Sequence, residues 1–242
     1  YVKIVASRGF GKTFMIALFS VLKAMLYPGL KVGWVSATFR QSKFIFQEAA
    51  NLYEKSAIFR AACEKPPTRL QEAWYIKLKS VNGMPGGSLE AVPLGDGNKI
   101  RGMRAHLLCC DEFPQIPEEV FDRVVLPMAA VRQNPMLRVR QDEKEIEMRA
   151  AGLLGENEFL DESGGGANQI VIASSAYFKF NHFYKRYLTY VDRIKQGDKN
   201  YAVFSIPYTD MPPHFYEEGV INVSRQQQSD LEFRMEYLAE FV

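Results

Sequence analysis

Apolar positions along the chain follow two rhythms. Tyr1 to Val5 (YVKIV), Lys31 to Ser36 (KVGWVS), Ala105 to Cys110 (AHLLCC), Gln169 to Ala173 (QIVIA) and Tyr201 to Ile206 are short, dense apolar runs. Runs of that length and density predict strands, several of them buried on both faces. Between them lie stretches whose apolar residues recur at helical spacing. These are Thr13 to Tyr27, stopped by Pro28-Gly29; Arg40 to Lys55, carrying Phe44, Phe46, Ala49, Leu52 and Tyr53; Pro117 to Val131, with a break near Pro127; Phe180 to Lys195; and Ser224 to Phe241. Glu72 to Val92 differs, because WYIKLKS and SLEAV flank Asn82-Gly83-Met84-Pro85-Gly86-Gly87 as antiparallel strands joined by a turn would. Gln141 to Leu154 reads as a charged helix and Gly155 to Asn168, with Gly164-Gly165-Gly166, as a flexible loop. Together these two make an insertion over about 138–168.

The alternation of strands and helices predicts an α/β fold with a mainly parallel central sheet flanked by helices. At 242 residues the chain is long enough for one substantial core plus a small appended subdomain. The expected division is a core over 1–200 and a C-terminal lid or linker over 201–242. Apolar residues at 47% and charged residues at 24% are values of an ordinary globular protein. No apolar run approaches the roughly 20 residues that cross a bilayer, so no membrane partner is expected.

A net charge of +2 leaves a nucleic-acid partner open, since phosphate binding depends on clustered Lys and Arg. Three cysteines, Cys63 and the adjacent Cys109 and Cys110, form neither a disulfide framework nor a paired zinc motif, which suits a reducing compartment. Tyr1 already lies inside an apolar run, so the chain reads as a fragment of a longer polypeptide.

The chemistry concentrates after the first strand. Ser7-Arg8-Gly9-Phe10-Gly11-Lys12-Thr13 lies between that strand and a helix, where a phosphate-binding loop belongs. Such a loop needs backbone N–H groups curled around the β-phosphate, a lysine reaching the β- and γ-phosphates, and a hydroxyl for magnesium at a helix N-terminus. The generic pattern puts a first glycine where this chain has Ala6, so the loop is a variant; a solvated glycine-rich turn is the bland alternative. Arg8 adds charge where the γ-phosphate would lie.

Asp111-Glu112 closes the AHLLCC strand. If that strand runs beside the first, Asp111 is placed to hold magnesium through water and Glu112 to orient and deprotonate an attacking water. A plain helix cap before Pro114 is the competing reading. Ser174-Ser175, after QIVIA, are placed to sense the γ-phosphate, or else cap a helix. Arg101 suits an arginine finger reaching a neighbouring subunit, or a solvated turn. The ensemble defines a P-loop NTPase core of the ASCE/RecA-like kind, with ATP and Mg2+ as its ligands.

The order of these motifs resembles the ATPase domain of the large terminase subunit of tailed bacteriophages, over essentially the whole chain. The resemblance rests on SRGFGKT, with an arginine four places before the lysine; on KIRGMRAHLLCCDEF, with eight residues between Arg101-Gly102 and Asp111-Glu112; and on IVIASSA followed by Asn181-His182-Phe183-Tyr184. It implies a Walker A function for Ser7 to Thr13, with Ala6 in place of glycine as a family trait. Asp111 becomes the Walker B metal ligand, Glu112 the catalytic glutamate and Ala173 to Ala176 a coupling motif. Arg101, with Arg104 as its nearby competitor, becomes a trans-acting finger.

The resemblance also implies an ATP-driven translocase that packages double-stranded DNA as a homo-oligomeric ring, with the portal protein and the small terminase subunit as partners. Its setting is the host bacterial cytoplasm, transiently docked on the procapsid. The family's adenine-binding segment and nuclease domain fall outside this chain, and the final EYLAEF resembles the end of the ATPase domain. Lys185, Arg186, Arg193 and Lys195 are candidates for DNA phosphate contact, with a solvated helix face as the alternative. Two rival readings are a helicase-type ATPase, although Phe113-Pro114 follows the carboxylate pair, and a slowly hydrolysing ATP-binding switch.

Overall fold

The computed structural model describes residues 1–71, 73–81, 83–95, 97, 100–131, 135–155 and 168–242, with backbone only over 135–141. Residues 156–167 of the expected insertion at about 138–168 lie outside the described residues, as do Asn82 of the expected turn and Asn98-Lys99.

Val2–Ala6 (β1) leads through the glycine-rich loop into Lys12–Leu26 (α1), and Lys31–Val35 (β2) into Phe39–Lys55 (α2) and Ala57–Ala62 (α3). Thr68–Arg69 (β3), Trp74–Lys77 (β4), Ser88–Ala91 (β5) and Leu107–Asp111 (β6) follow. Short helices Glu118–Val120 (α4) and Leu126–Met128 (α5) flank a π-helical turn at Phe121–Val125, and Pro135–Ala150 (α6) comes next. The chain closes with Gln169–Ser174 (β7), His182–Lys195 (α7), Ala202–Ile206 (β8), Glu218–Gln227 (α8) and Asp230–Glu236 (α9). The π turn sits where the break near Pro127 was expected: proline has no N–H to close the preceding helical turn, and a widened turn absorbs the mismatch.

The eight strands among the described residues join one sheet in the order β3-β4-β5-β2-β6-β7-β1-β8. The strands from β5 to β8 in this order pair in parallel, while β3 and β4 are antiparallel at one edge, so the expected antiparallel pair is β4 with β5. The sequence made the placement of Asp111-Glu112 conditional on that strand lying beside the first, and this condition is not met. The strand ending in Asp111-Glu112 does not run beside β1, because β7 lies between them. β7 is apolar on both faces and almost wholly buried, which suits it to a central slot.

Register, not adjacency, gathers the site: Asp111 pairs with Ala173 across β6 and β7, and Val5 with Ser174 across β1 and β7. The C-terminal ends of the three strands therefore meet, as binding crevices of open α/β sheets require.

Two apolar layers cover the sheet. On one face α1 and α2 pack Ile16, Val21, Ile45, Phe46 and Ala49 against Trp34 and Cys109; on the other Val35, Leu108 and Cys110 meet Phe113, Phe121 and Phe183. The three thiols are buried and free, and burial pushes Cys109 up to about 12, so they serve as packing. Trp34 is fully buried, lies edge-on to Phe46 at 6.3 Å and donates its Nε1–H to Ser20 Oγ at 3.0 Å. Trp34→Ala is expected to cost about 3–5 kcal/mol, read as a lower urea midpoint at unchanged slope.

The last helical run is two helices, not one. Ser229 accepts the Glu232 N–H while the Glu232 carboxylate accepts the Ser229 N–H; this capping box starts a new helix where the sequence pattern read as continuous. A third, smaller apolar cluster joins Ile221, Phe233 and Tyr237 with Tyr208 and Tyr216. Within 201–242, then, β8 belongs to the central sheet, whereas α8 and α9 pack around a cluster of their own.

Candidate nucleotide site

The loop after β1 is shaped by two glycines. Gly9 and Gly11 have φ of 81° and 91°, a left-handed backbone that only glycine adopts without strain. Gly11 caps α1 in that conformation, which leaves the helix N-terminus free to present its N–H groups and positive dipole end. Phe10 closes the turn, its N–H donating to the Ser7 carbonyl at 3.3 Å.

Lys12 folds back over this loop, donating to the carbonyls of Ala6 and Ser7 at 3.0 Å each and reaching Ser175 Oγ at 3.5 Å. Burial lowers its pKa, opposed by the charges of Glu112, Asp111 and Glu236.

Thr13 Oγ1 donates to Asp111 Oδ2 at 2.8 Å, joining the loop to the end of β6 across the width of β7. Burial raises the pKa of Asp111, against the bond from Thr13. Asp111 Oδ1 accepts the N–H of Glu112 at 3.1 Å. Glu112 has φ 50° and ψ 45°, a left-handed conformation that costs a non-glycine residue roughly 1–3 kcal/mol and that clusters at functional sites. The bend aims its carboxylate across the strand ends, where Ser174 Oγ donates to Glu112 Oε2 at 3.3 Å. Burial, and then the neighbouring Asp111, raise the Glu112 pKa, as suits a base.

These groups line a cleft of about 540 Å3 with Arg8, Gly9, Gly11, Ser175, Gln41, Gln115 and Glu236. The oxygens of Thr13 and Asp111 are hard donors at a helix N-terminus, the set that holds magnesium together with a nucleotide's phosphates.

The structure thus brings together Ser7 through Thr13, Asp111, Glu112, Ser174 and Ser175. It does not bring Arg101 or Arg104 to this cleft: both are exposed in the turn leading to β6, and Arg104 lines a separate cleft of about 310 Å3 beside Lys31 and Glu90. β6, at about 3.3 Å per residue, separates that turn from Asp111. Of the basic residues on α7, Lys185, Arg193 and Lys195 are exposed, whereas Arg186 is paired with Asp122.

Four residues escaped the sequence reading. Gln41 carries a signal in hindsight, since Thr38-x-x-Gln41 forms a capping box; its Nε2 then bridges to Gln115 Oε1 at 2.8 Å. Tyr216 and Glu236 arrive from the far end of the chain with no motif to announce them.

A phosphate loop on the first strand, a carboxylate pair on β6 and an inserted strand carrying polar residues between them define an ASCE-type P-loop NTPase. Comparison with known proteins narrows that class. A family model for the terminase large subunit, T4likevirus-type, N-terminal, matches residues 3–134, more than half of the chain. The chain belongs to this terminase large subunit family.

The fold is that of the Thermus phage P74-26 large terminase ATPase domain, at TM-score 0.67 and 18% identity over 100% of this chain and 88% of that one. The large terminase of a thermophilic bacteriophage, in complex with ADP, matches at TM-score 0.59 and 10% identity, over 100% of this chain and 48% of that one. The HK97 bacteriophage large terminase matches at TM-score 0.62 and 14% identity, over 99% and 46%. The chain spans about half the length of the last two. No curated protein sequence matched. Among the described residues no helix is long and apolar enough to cross a membrane.

Proposed function

We propose that this domain hydrolyses ATP to drive double-stranded DNA into a viral procapsid, working as a ring of identical subunits. The observation that carries the reading is the 2.8 Å contact between Thr13 and Asp111, with Glu112 and the two serines at the end of β7 alongside. Phosphates are held by the N–H groups at the start of α1 and by Lys12, which exchanges the Ala6 and Ser7 carbonyls for phosphate oxygens. Thr13, and Asp111 through water, would hold magnesium, which supplies charge neutralisation on the β- and γ-phosphates. Glu112 takes the proton of the attacking water, and Ser174, already bonded to that carboxylate, registers the change. Arg8 approaches the γ-phosphate within the subunit, and Arg101 supplies the finger to the neighbour's cleft.

Motion of α8 and α9, the part of the expected 201–242 lid that follows β8, carries the stroke to DNA; Lys185, Arg193 and Lys195 are the exposed cations on α7 for phosphate contact. The portal protein and small terminase subunit are the expected partners on the procapsid in the host cytoplasm, and nuclease activity belongs to the full-length protein.

The test is subunit mixing. Arg101→Ala and Glu112→Gln proteins, each inactive alone in a DNA-supplied assembly, are expected to regain part of the wild-type phosphate release when combined, because mixed interfaces pair an intact finger with an intact base. Absence of rescue at every mixing ratio rules out Arg101 as a finger acting between subunits.

A further inference from the structure

The nucleotide cleft contains a third carboxylate, and it comes from outside the sheet. Glu236 is the last residue of α9, and its Oε2 accepts Ser175 Oγ at 3.3 Å and lies 3.8 Å from Arg8 Nη1. Its backbone carbonyl accepts the Arg8 N–H at 2.6 Å. A second contact from the same body reinforces the first: Tyr216 OH shares a 2.7 Å bond with Ser7 Oγ and donates to the Arg8 carbonyl at 3.0 Å. Its ring edge lies 3.2 Å from where a side chain on Gly9 would begin. Tyr216 and α9 share the small apolar cluster around Ile221 and Phe233, so they move together if they move at all.

The groups that Glu236 engages are those a terminal phosphate needs. Arg8 and Ser175 line the cleft beside Lys12 and Thr13, and a γ-phosphate seated there competes for the same guanidinium and hydroxyl. Two anions on one guanidinium repel one another, and a phosphate, with more charge and more acceptor oxygens, is the stronger partner. The incumbent pair is weakly held: Arg8 is 72% and Glu236 33% exposed at 3.8 Å, the range in which ion pairs exchange at small cost.

We propose that Glu236 is a specificity-determining residue of the cleft, holding Arg8 and Ser175 in competition with the terminal phosphate so that a nucleoside triphosphate, unlike a diphosphate, displaces it and loosens α8 and α9 from the loop. The proposal rests on the reading of the cleft as an ATP site. A diphosphate leaves the pair intact, because nothing reaches the third phosphate position. The site therefore distinguishes the two nucleotides partly by what each must push aside, and the lid body registers the difference.

The experiment compares Glu236→Gln and Tyr216→Phe with wild type, titrating adenosine 5′-O-(3-thiotriphosphate) and ADP, each with magnesium, and following hydrogen exchange over residues 218–242. Glu236→Gln keeps size and removes the competing charge, so triphosphate affinity is expected to rise roughly two- to fivefold while ADP affinity stays put. Tyr216→Phe removes a lid contact without touching the charge and is expected to shift the ratio of the two affinities in the same direction but by less than Glu236→Gln. In wild type the triphosphate should speed exchange over 218–236 relative to ADP.

The proposal is overturned if Glu236→Gln leaves the ratio unchanged, if Tyr216→Phe shifts it equally, or if both nucleotides protect 218–236 alike. Wild-type protein that binds neither nucleotide would instead remove the ATP-site reading, and this proposal with it.

Discussion

Glu112→Gln is expected to lower steady ATP hydrolysis by about 10²- to 10⁴-fold, the usual contribution of a positioned general base, while nucleotide binding survives. The substitution is nearly isosteric. An amide oxygen can still accept the Ser174 hydroxyl that lies 3.3 Å from the carboxylate, so the left-handed turn at this position and the end of β6 have no reason to rearrange. What is lost is the capacity to take a proton from water in a site where burial and Asp111 have already made the carboxylate more basic than usual. Phosphate release by the DNA-supplied assembly, set against a fluorescent-nucleotide titration of the same preparation, separates the two properties. Turnover that persists at near wild-type rate would remove Glu112 from the role of base.

Lys12→Ala should fail earlier, at binding. Lys12 is 8% exposed and its ammonium is held by two carbonyls and a serine, so it is preorganised a short swing from the phosphate positions. Charge-assisted hydrogen bonds are worth about 1.5–3 kcal/mol each, and losing the lysine's bonds to the phosphates predicts affinity weakened by at least about 100-fold. The same change leaves Asp111, Glu112 and Glu236 without the buried cation whose charge each of them feels. A titration at nucleotide concentrations that saturate wild type, with a thermal melt to verify folding, is the measurement. Retained affinity would mean that the loop holds phosphate by its backbone alone.

The parts of the site written in consecutive residues were readable: the two glycines, Lys12 and Thr13 on the loop, and Asp111-Glu112 at a strand end. The strand order was not. β6 and β7 are both buried on both faces, and a parallel strand with no polar face carries no mark of which neighbour it prefers. Whether β6 lies beside β1 was therefore open on the sequence, and it is the register that brings Asp111 to Thr13.

Glu236 and Tyr216 were hidden for a different reason. Each is an ordinary surface residue type whose role depends on where two small helices dock, and docking leaves no local periodicity. The break at Ser229 was legible in principle, since Ser229-x-x-Glu232 is a helix start signal, but the apolar rhythm running through it reads as one helix. The order and spacing of the motifs already pointed to a terminase and not to another P-loop enzyme, and the family match bears that out.

The slot that β7 fills also has a consequence in time. Of the described strands β1 leaves the ribosome first, yet its strand partners are β7 and β8. At roughly 5–20 residues per second, β1 must wait on the order of ten to thirty seconds for the strand that flanks it, while β2, β5 and β6 can already assemble. During that interval an apolar segment that ends in the phosphate loop has no sheet to join. Closing so long a loop sets this part of the sheet among the late, slow steps of folding. A nascent chain is thus unable to bind nucleotide productively until its last parallel strands are made, and the P-loop, though encoded ahead of the rest of the sheet, is among the last parts of the protein to become a site.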